Sequence, residues 1–248
     1  MFRNVIKEGA FFIADAHTNK NRDILYEFLS QIKRGDLKPS QLFLMGDMFD
    51  LLIGGVKYTQ DINKNYINLI NEISKKVEIF YFEGNHDFNL KKLFPNIKVF
   101  PYNNQPVIFR MNNKKVMLLH GDKAASLSYI LYTAIIRSKV VLSIISLCDN
   151  LAGGFISKKI INSQYNKKIC KNIDNFKTII LNRVKKLPTS QVDTILEGHF
   201  HQDIQIELKK SKKYINIPSF ACNKSFIIVQ SDLRFEKVQF ALKKGENR

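Results

Sequence analysis

The chain has 248 residues, of which 45% are hydrophobic and 25% are charged. This composition is that of an ordinary globular protein, and the length allows one domain with a substantial core. The three cysteines are widely spaced and form no Cys-x-x-Cys pair, which argues against a disulfide framework and a zinc-finger module. The apolar stretch that begins at Ala10 is too short for a secretory signal. These features together favour a cytoplasmic protein.

The formal net charge of +17 comes mainly from lysines spread along the chain. A surface for nucleic acid, attraction to an anionic membrane and a lysine-rich genome would each produce such a charge. Aromatic residues are not interleaved with basic residues as they are in nucleic-acid-binding modules. Nucleic acid is therefore the least favoured partner, and the other two interpretations stay open.

The first hundred residues alternate between buried strands and amphipathic helices. Apolar runs at 9–14, 42–45 and 77–82 predict strands, and helical spacing of apolar residues predicts helices over 19–35 and 62–75. This alternation is the signature of a layered α/β fold. Further short strands are predicted at 98–100, 107–111, 115–119, 192–196, 204–208, 213–217, 226–229 and 234–241. The last four of these predict an antiparallel meander.

The segment 124–187 interrupts this rhythm with long apolar and basic helical patterns. We interpret the chain as a single domain, 1–248, into which 124–187 is inserted as a helical cap. The apolar run from Leu127 to Leu147 is interrupted by Arg137 and Lys139, and two central cations are costly inside a bilayer. The pattern therefore favours a cap helix, or a helix at the membrane surface, over a transmembrane helix.

Polar side chains follow the predicted strands at the points where the strands end. All five histidines of the chain lie at these ends, each close to Gly, Asp or Asn. A lone histidine is usually structural, and a single Asp after a strand often caps a helix. A complete set at strand ends instead indicates one site, because carboxyl ends of parallel strands share an edge of the sheet. The candidate residues are Asp15, His17, Asp47, Asp50, Asn85, His86, His120, His199 and His201.

This mixture of ligands suits a pair of divalent cations. Two cations about 3.5–4 Å apart can hold the attacking and leaving oxygens of a phosphate ester, and a shared carboxylate must bridge them. Imidazole ligands favour manganese, iron or zinc over magnesium or calcium. We therefore expect two divalent metal ions, with Mn²⁺ preferred and iron or zinc as alternatives.

The motifs Asp15-x-His17, Gly46-Asp47-x-x-Asp50, Gly84-Asn85-His86-Asp87, His120 and Gly198-His199-x-His201 resemble the calcineurin-like metallophosphoesterases, in the same order along the chain. The resemblance implies an α/β fold, a four-layer α-β-β-α sandwich, and hydrolysis by a metal-activated hydroxide that attacks phosphorus. It also implies the two ligand sets, which share Asp47 as the bridge. One set is Asp15, His17, Asp47 and His201, and the other is Asp47, Asn85, His120 and His199.

Two further roles follow from the same resemblance. His86 would be a catalytic residue that contacts the phosphoryl oxygens or protonates the leaving oxygen, and Asn85 would also bind substrate. Asp50 would orient His86 through a hydrogen bond to its other ring nitrogen. A helix cap is the alternative role for Asp50. Asp87 and Asp122 are expected to support the ligands or cap helices rather than bind metal.

The inserted segment narrows the resemblance to one subfamily. Its position after His120 is similar to that in the enzymes that hydrolyse UDP-2,3-diacylglucosamine to UMP and 2,3-diacylglucosamine 1-phosphate in lipid A biosynthesis. An apolar cap can hold acyl chains, and basic residues can meet the pyrophosphate and an anionic leaflet. The subfamily implies a lipid-linked nucleotide as substrate and peripheral association with the inner face of the cytoplasmic membrane. No obligate protein partner is inferred.

The chain departs from that subfamily at two positions. His86 stands where the subfamily usually has Arg, and Phe200 stands where it has a small residue. A lysine of the cap can replace the missing Arg, and Asn166 and Lys167 are our candidates for contact with substrate. A solvated helix face is the alternative for these two residues.

Two other functions compete with the lipid hydrolase. The first is hydrolysis of soluble phosphoesters by a nucleotide phosphodiesterase, a phosphoprotein phosphatase or a nuclease, which the His86 form favours. The second is a scaffold without catalytic activity that keeps the fold and binds partners through the apolar segment. A scaffold would be expected to lose ligands, and this chain keeps the whole set.

Overall fold

The computed structural model describes residues 4–123, 127–165, 167–232 and 234–241. Within these ranges two main β-sheets pack face to face, with helices on their outer faces. The strands are β1 (Ala10–Ile13), β2 (Gln41–Leu44), β3 (Leu52–Ile53), β4 (Glu78–Phe82), β5 (Asp87–Phe88), β6 (Lys98–Phe100), β7 (Val107–Met111), β8 (Lys114–Leu119), β9 (Thr194–Glu197), β10 (Ile204–Glu207), β11 (Lys213–Asn216), β12 (Ser225–Val229) and β13 (Phe235–Gln239).

The helices divide into three groups along the chain. The helices are α1 (Ile24–Arg34), α2 (Lys57–Ile62), α3 (Lys64–Ile73), α4 (Leu127–Ile136), α5 (Lys139–Leu151), α6 (Phe155–Tyr165), α7 (Phe176–Val184) and α8 (Phe220–Asn223). The first three lie among the early strands, α8 lies in the tail, and α4–α7 lie between β8 and β9. We refer to α4–α7 as the inserted helices.

The first sheet has the strand order β13-β12-β1-β2-β4-β6, and β1, β2, β4 and β6 are parallel in it. The second sheet has the order β10-β11-β9-β8-β7, with β8, β9 and β11 parallel. A small parallel pair joins β3 to β5. Strands with candidate site residues at their carboxyl ends are therefore central and parallel in both sheets. This arrangement gathers those residues at one edge.

Three apolar layers explain the stacking. Between the sheets, stacked and edge-on rings such as Phe12, Phe43, Phe80 and Phe109 are fully buried. The outer face of the first sheet packs against α1 and α3, and the outer face of the second packs against α7. Each fully buried Phe contributes about 1.5–3 kcal/mol to folding. The α/β fold of four layers predicted from the sequence is confirmed.

Most element predictions hold to within a few residues, and one is wrong. The helix predicted over 62–75 is α3 to within two residues at each end, and the unpredicted helix α2 precedes it. The tail was predicted to be one antiparallel meander, whereas β10 and β11 join the second sheet and β12 and β13 join the first. Alternating apolar residues specify a strand but not the sheet that receives it, because both sheets have an apolar inner face.

The apolar run from Leu127 breaks into α4 and α5 at Arg137 and Ser138. The Ser138 side chain caps α5 by accepting a hydrogen bond from the amide of Val141 at 3.2 Å. Within the described ranges, no single helix is long and apolar enough to cross a membrane. The bent pair Val140–Leu151 and Phe155–Tyr165, which meet at 95°, passes the same test together by length and composition.

Candidate metal centre

One group of ligand atoms comes from the ends of β1 and β9. The Nε2 atom of His201 lies 3.3 Å from Oδ1 of Asp15 and 3.3 Å from Nε2 of His17. Ligand atoms from these three residues all lie within 4.8 Å of one another. The structure therefore brings together the first ligand set that the resemblance implied, apart from its bridge.

A second group comes from the ends of β2, β4, β8 and β9. Its ligand atoms, from Asp47, His120 and His199, also lie within 4.8 Å of one another. The amide oxygen of Asn85 lies 3.3 Å from Nε2 of His120. Asp47 stands between the groups, because its Oδ2 is 3.5 Å from Nε2 of His120 and 4.0 Å from Nε2 of His17. This is the position that a bridging carboxylate requires.

The backbone at these strand ends adopts a conformation that most residues avoid. Left-handed φ angles between 41° and 66° occur at Asp15, His17, Asp47, His199 and His201. Such a backbone costs about 1–3 kcal/mol per residue and persists only where the surroundings enforce it. Two amide hydrogen bonds enforce it here, from Asp15 to the carbonyl of Gly46 at 3.1 Å and from His17 to the carbonyl of Asp47 at 3.0 Å. The turns serve to aim side chains at a common point.

Two glycines of the motifs leave room for the carboxylates. A Cβ atom on Gly84 would overlap the Oδ1 atom of Asp47, and a Cβ atom on Gly198 would lie 2.6 Å from Oδ2 of Asp15. Real Cβ atoms do not approach other atoms so closely. Glycine at these positions is therefore required by the close packing of the loops around the two acids, in addition to any freedom of the backbone.

Backbone carbonyl groups hold three imidazole rings in a common orientation. The Nδ1 atoms of His86, His120 and His201 lie 2.9 Å from the carbonyl oxygens of Asp50, Met45 and Ile169, respectively. A ring that donates from Nδ1 presents a free lone pair at Nε2. The same arrangement fixes the tautomer of histidines that bind metal ions in other sites.

The carboxylates of the site are buried and pair with histidines rather than with lysine or arginine. Asp15 and Asp47 are at most 2% exposed, and no lysine or arginine side chain of the described residues pairs with either carboxylate. Burial opposes ionisation of Asp47, yet the His120 and His86 rings hold the pKa of this carboxyl well below 3.8. Burial and the neighbouring His120 lower the pKa of His199 to about 3, so this imidazole is neutral at pH 7.

These observations fit divalent transition-metal ions. Buried carboxylates without a lysine or arginine partner are compensated by a bound cation, and imidazole rings that present Nε2 are placed to bind one. Each group supplies oxygen and nitrogen donors, and Asp47 reaches both. The residues present therefore fit two cations with a shared carboxylate.

The structure corrects the role predicted for Asp50. Its carboxylate does not contact His86, whose ring instead contacts the backbone carbonyl of Asp50. The carboxylate accepts hydrogen bonds from Nη2 of Arg22 at 2.7 and 2.9 Å and lies 3.4 Å from Nδ1 of His17. The motif spacing is compatible with either contact, and the arginine decides between them because it pairs with both carboxylate oxygens. Asp50 thus lies behind His17.

The sequence did not identify Arg22 as a site residue, because nothing in the predicted helix pattern distinguishes it from other surface cations. Its Nε atom also donates to the carbonyl of His17 at 3.0 Å, so one guanidinium group fixes both Asp50 and the ligand loop. A basic residue five positions after His17, before a helix, was the only available signal.

Arg137 is a second residue whose position the sequence did not reveal. It lies between the rings of Phe88 and Tyr102, and its Nη2 donates to the carbonyl of Gly84 at 2.8 Å. The same atom lies 3.6 Å from Oδ2 of Asp122. In the sequence, Arg137 stands out only as a cation that interrupts an apolar run. That unfavourable position was the one indication that it has a specific partner. Arg137 links the inserted helices to the loop that carries Asn85.

Asp87 supports the ligand loops, as expected. Its carboxylate accepts hydrogen bonds from the amides of Asp47 at 3.0 Å, Met48 at 2.7 Å and Gly84 at 2.9 Å. The hydroxyl of Tyr81 donates to the same carboxylate at 2.7 Å. Burial and the nearby Asp47 raise the pKa of Asp87 to about 7. Asp87 therefore ties two ligand loops together from behind.

The two candidate cap residues cannot both be placed. Asn166 lies outside the described residues, and Lys167 is exposed. The segment that follows Lys167 reaches the site, since the carbonyl of Ile169 contacts His201. Lys171 belongs to the same segment, and its carbonyl accepts a hydrogen bond at 2.8 Å from the side chain of Gln202, next to His201.

The cysteine interpretation was wrong in one respect. Cys170 and Cys222 form a disulfide, with Cα atoms 5.6 Å apart, whereas Cys148 is free and exposed. The two partners are 52 residues apart, a separation from which sequence spacing cannot reveal a pair. The bond joins the segment beside His201 to α8.

Comparison with known proteins agrees with this geometry. The family model described as calcineurin-like phosphoesterase matches residues 10–203. The chain therefore belongs to the calcineurin-like phosphoesterase family, and it is a metal-dependent phosphoesterase.

Several curated relatives carry one name, UDP-2,3-diacylglucosamine hydrolase. The chain is 22% identical to the protein of Psychromonas ingrahamii over 89% of this chain and 93% of that protein. It is 25% identical to a protein of Coxiella burnetii, with 82% and 86% covered, and 26% identical to that of Vibrio atlanticus, with 86% and 84% covered.

Solved structures of phosphoesterases are also similar. A phosphoesterase from E. coli has a TM-score of 0.43 at 13% identity and covers 92% of this chain, with 97% of its own chain covered. A dimetal phosphatase from Danio rerio has a TM-score of 0.43 at 12% identity, with 95% and 100% covered.

Proposed function

We propose that this protein hydrolyses the pyrophosphate bond of UDP-2,3-diacylglucosamine to UMP and 2,3-diacylglucosamine 1-phosphate, in lipid A biosynthesis. The observation that carries the proposal is the position of the inserted helices. On one side Leu142 and Ile161 pack against Leu51, Ile53 and the neighbouring ring of Phe88, directly beyond the ligand loops. On the other side the same helices expose apolar side chains.

The proposed metal ligands are those that the structure brings together. Asp15, His17, Asp47 and His201 would hold one divalent ion, and Asp47, Asn85, His120 and His199 would hold the other. Manganese is the preferred metal, with iron or zinc as alternatives. The ions supply an activated water and neutralise charge on the phosphate.

The other residues bind and orient the substrate. His86 would hold a phosphoryl oxygen or give a proton to the leaving oxygen through Nε2, since its Nδ1 is engaged by the Asp50 carbonyl. Asn85 would contact substrate as well as metal. Asn166 and Lys167, which follow α6 in the sequence, are retained as candidate contacts for the pyrophosphate.

The exposed side of the inserted helices supports peripheral binding to an anionic membrane. Val140, Leu151 and Phe155 are 70%, 81% and 64% exposed, respectively. Lys158 and Lys159, on the adjoining turn of α6, are also exposed. Apolar side chains gain free energy by entering the headgroup region, and lysines beside them are attracted to anionic lipids. Both contributions favour binding to an anionic leaflet. We propose that the enzyme works on the inner face of the cytoplasmic membrane.

The experiment is hydrolysis of UDP-2,3-diacylglucosamine in detergent with Mn²⁺, beside bis-p-nitrophenyl phosphate as a generic ester. We expect release of UMP with a kcat/KM far above that for the generic ester. Strong turnover of the generic ester with none of the lipid would reject the proposal and favour a hydrolase of soluble phosphoesters. The presence of His86, the form usual among general phosphoesterases, is the observation that favours this second candidate.

A further inference from the structure

A cavity of about 390 Å³ lies between the ligand loops and helix α6. Its lining includes Thr18 and Asp50 on the side of the metal centre and Tyr165 on the side of α6. Because Asp50 lies 3.4 Å from the ring of His17, the cavity begins directly behind a proposed metal ligand. The cavity thus adjoins the metal centre through Thr18 and Asp50, although no proposed metal ligand is among the lining residues that the structure describes. The volume falls within the ~300–1,000 Å³ of small-molecule sites.

The cavity is lined by aromatic rings and by one buried hydroxyl group that lacks a partner. Tyr58, Tyr66 and Tyr165 all contribute to the wall. The hydroxyl of Thr18, a residue only 4% exposed, has no hydrogen-bond partner among the described residues. Buried hydroxyl groups without a partner are uncommon and call for a ligand or an ordered water. Thr18 therefore marks this cavity as a place where something polar binds.

Two further polar groups have defined hydrogen-bonding capacity. The amide nitrogen of Asn63 donates to the carbonyls of Leu51 at 3.1 Å and Thr59 at 2.8 Å, which leaves its amide oxygen as an acceptor for a ligand. Burial and the Asp23 carboxylate raise the pKa of Tyr66 to about 12, so its hydroxyl stays protonated and can donate. The cavity thus offers an acceptor, a donor and flat aromatic surface.

This combination suits a nucleoside better than an acyl chain. Aromatic side chains stack on a base and contribute about 1–3 kcal/mol per base, and a base edge needs both donors and acceptors. A chain of methylene groups would cover the Thr18 hydroxyl and the Asn63 oxygen without satisfying either, at a cost of about 1–3 kcal/mol for each group. Apolar residues suited to acyl chains lie elsewhere on the inserted helices.

We propose that this cavity binds the pyrimidine nucleoside of the diphosphate-linked substrate, with Tyr165 stacking on the base and Thr18 bonding the ribose or base. The inference deepens the proposed function and rests on it for the identity of the base. It assigns the two halves of the substrate to different surfaces, the nucleoside to the cavity and the lipid to the apolar residues of the inserted helices.

Binding of UMP to the Mn²⁺-loaded protein tests this assignment without any turnover of lipid. Titration calorimetry would compare UMP with inorganic phosphate and with dodecyl phosphate. We expect UMP to bind at least about tenfold more tightly than phosphate, and Tyr165→Leu and Thr18→Val to remove most of that advantage. UMP binding no tighter than phosphate, or an advantage that both variants keep, would overturn the proposal. Loss of dodecyl phosphate binding in these variants, with UMP binding kept, would assign the cavity to an acyl chain and also overturn it.

Two controls guard against trivial results. Ser225→Ala removes another buried hydroxyl without a partner, on β12, and should leave the UMP advantage intact. In the wild-type protein, irradiation with 5-bromo-UMP should attach the nucleotide to Tyr58, Tyr66 or Tyr165, as mass spectrometry would show. Adducts confined to other regions would contradict the assignment even if the variants fail to fold. If UMP binds as proposed but the lipid is not hydrolysed, the proposed function fails and the cavity assignment stands.

Discussion

The ligand loops and the inserted helices differ in the burial of their side chains and in the rigidity of their backbone. The loops bury their functional side chains, fix them through carbonyl and amide hydrogen bonds, and hold strained backbone at Asp15 and Asp47. Among the inserted helices, α4–α6 expose large apolar side chains, with Leu151 81% exposed, whereas α7 packs against the second sheet and pairs Arg183 with Glu197. Rigid, buried geometry suits a reaction at phosphorus, whereas an exposed apolar surface suits a greasy substrate or a membrane.

Because of this difference, changes that affect the reaction can be separated from changes that affect the choice of substrate. Metal ligands must meet within a few tenths of an ångström, so any change in the loops should affect every substrate. The inserted helices select among substrates, so changes there should affect the lipid more than a small ester. Arg137 links the two regions, because its backbone lies among the inserted helices and its side chain donates a hydrogen bond to the carbonyl of Gly84.

The largest effect is expected from Asp47→Asn in the ligand loops. The variant keeps the shape of the side chain but removes the charge shared between the two ion sites. Hydrolysis of both the lipid and bis-p-nitrophenyl phosphate should fall by roughly 10³-fold or more, as expected for loss of a central electrostatic group. Initial rates with saturating Mn²⁺ would measure it.

The matched control is Asp232→Asn, in an exposed turn between β12 and β13. It removes a carboxylate far from the ligand loops and should leave both rates within about twofold, because surface substitutions are usually mild. Activity retained in Asp47→Asn would remove the dinuclear interpretation of the site.

Arg137→Ala should affect both the ligand loops and the inserted helices, because Arg137 contacts both. Loss of its hydrogen bond to Gly84 frees the loop that carries Asn85, and groups that orient metal ligands typically contribute 10–100-fold to activity. We expect a loss of about that size in kcat for the generic ester, and at least as large a loss for the lipid. Steady-state kinetics on the two substrates would separate kcat from KM.

Arg137→Lys and Arg110→Ala serve as controls for this variant. Lysine keeps the charge but makes a single-point contact, so it should recover part of the lost kcat. Arg110 is exposed on β7, and its replacement should have no effect. A generic ester rate unchanged in Arg137→Ala would show that Arg137 does not support the metal loop.

A smaller effect is expected at the exposed side of the inserted helices. In the double variant Leu147→Ser with Leu151→Ser, the two side chains that are 60% and 81% exposed become polar. Binding to vesicles that contain phosphatidylglycerol should weaken by at least about tenfold, since a fully buried Leu side chain contributes about 1.5–3 kcal/mol. Sedimentation with vesicles of defined composition would measure the partition.

Ile108→Ser is the comparison for this experiment, because Ile108 is 43% exposed on β7, away from the inserted helices. It should bind vesicles like the wild type. Equal losses in the two variants would mean that general surface hydrophobicity, and not this face, directs the protein to lipid.

The sequence predicted the ligand loops well because each motif is local. A strand end, a glycine and a ligand within three residues are enough to place Asp47 at the sheet edge, and the packing of the two sheets then brings it to His120 and His199. The layered α/β fold of the first half of the chain could be predicted in the same way, from the alternation of strand and helix.

Features that depend on tertiary contacts could not be predicted. The Asp50 carboxylate turns to Arg22 rather than to His86, and no spacing rule distinguishes these partners. The pairing of Cys170 with Cys222 depends on two segments that meet only in the folded chain. The same holds for the tail, where β10 and β11 join the second sheet and β12 and β13 join the first, because the apolar pattern of a strand does not specify its sheet.

The central claim is that the ligand loops determine the reaction and the inserted helices determine the choice of substrate. The dependence of kcat/KM on the acyl chains of the substrate tests this claim most directly. The measurement is kcat/KM for UDP-2,3-diacylglucosamine against UDP-N-acetylglucosamine, which has the same pyrophosphate and nucleoside but no long acyl chains. Each methylene group buried with the substrate contributes about 0.8 kcal/mol, so kcat/KM should fall by at least about 10³-fold without the chains. Equal values of kcat/KM for the two substrates would contradict the account.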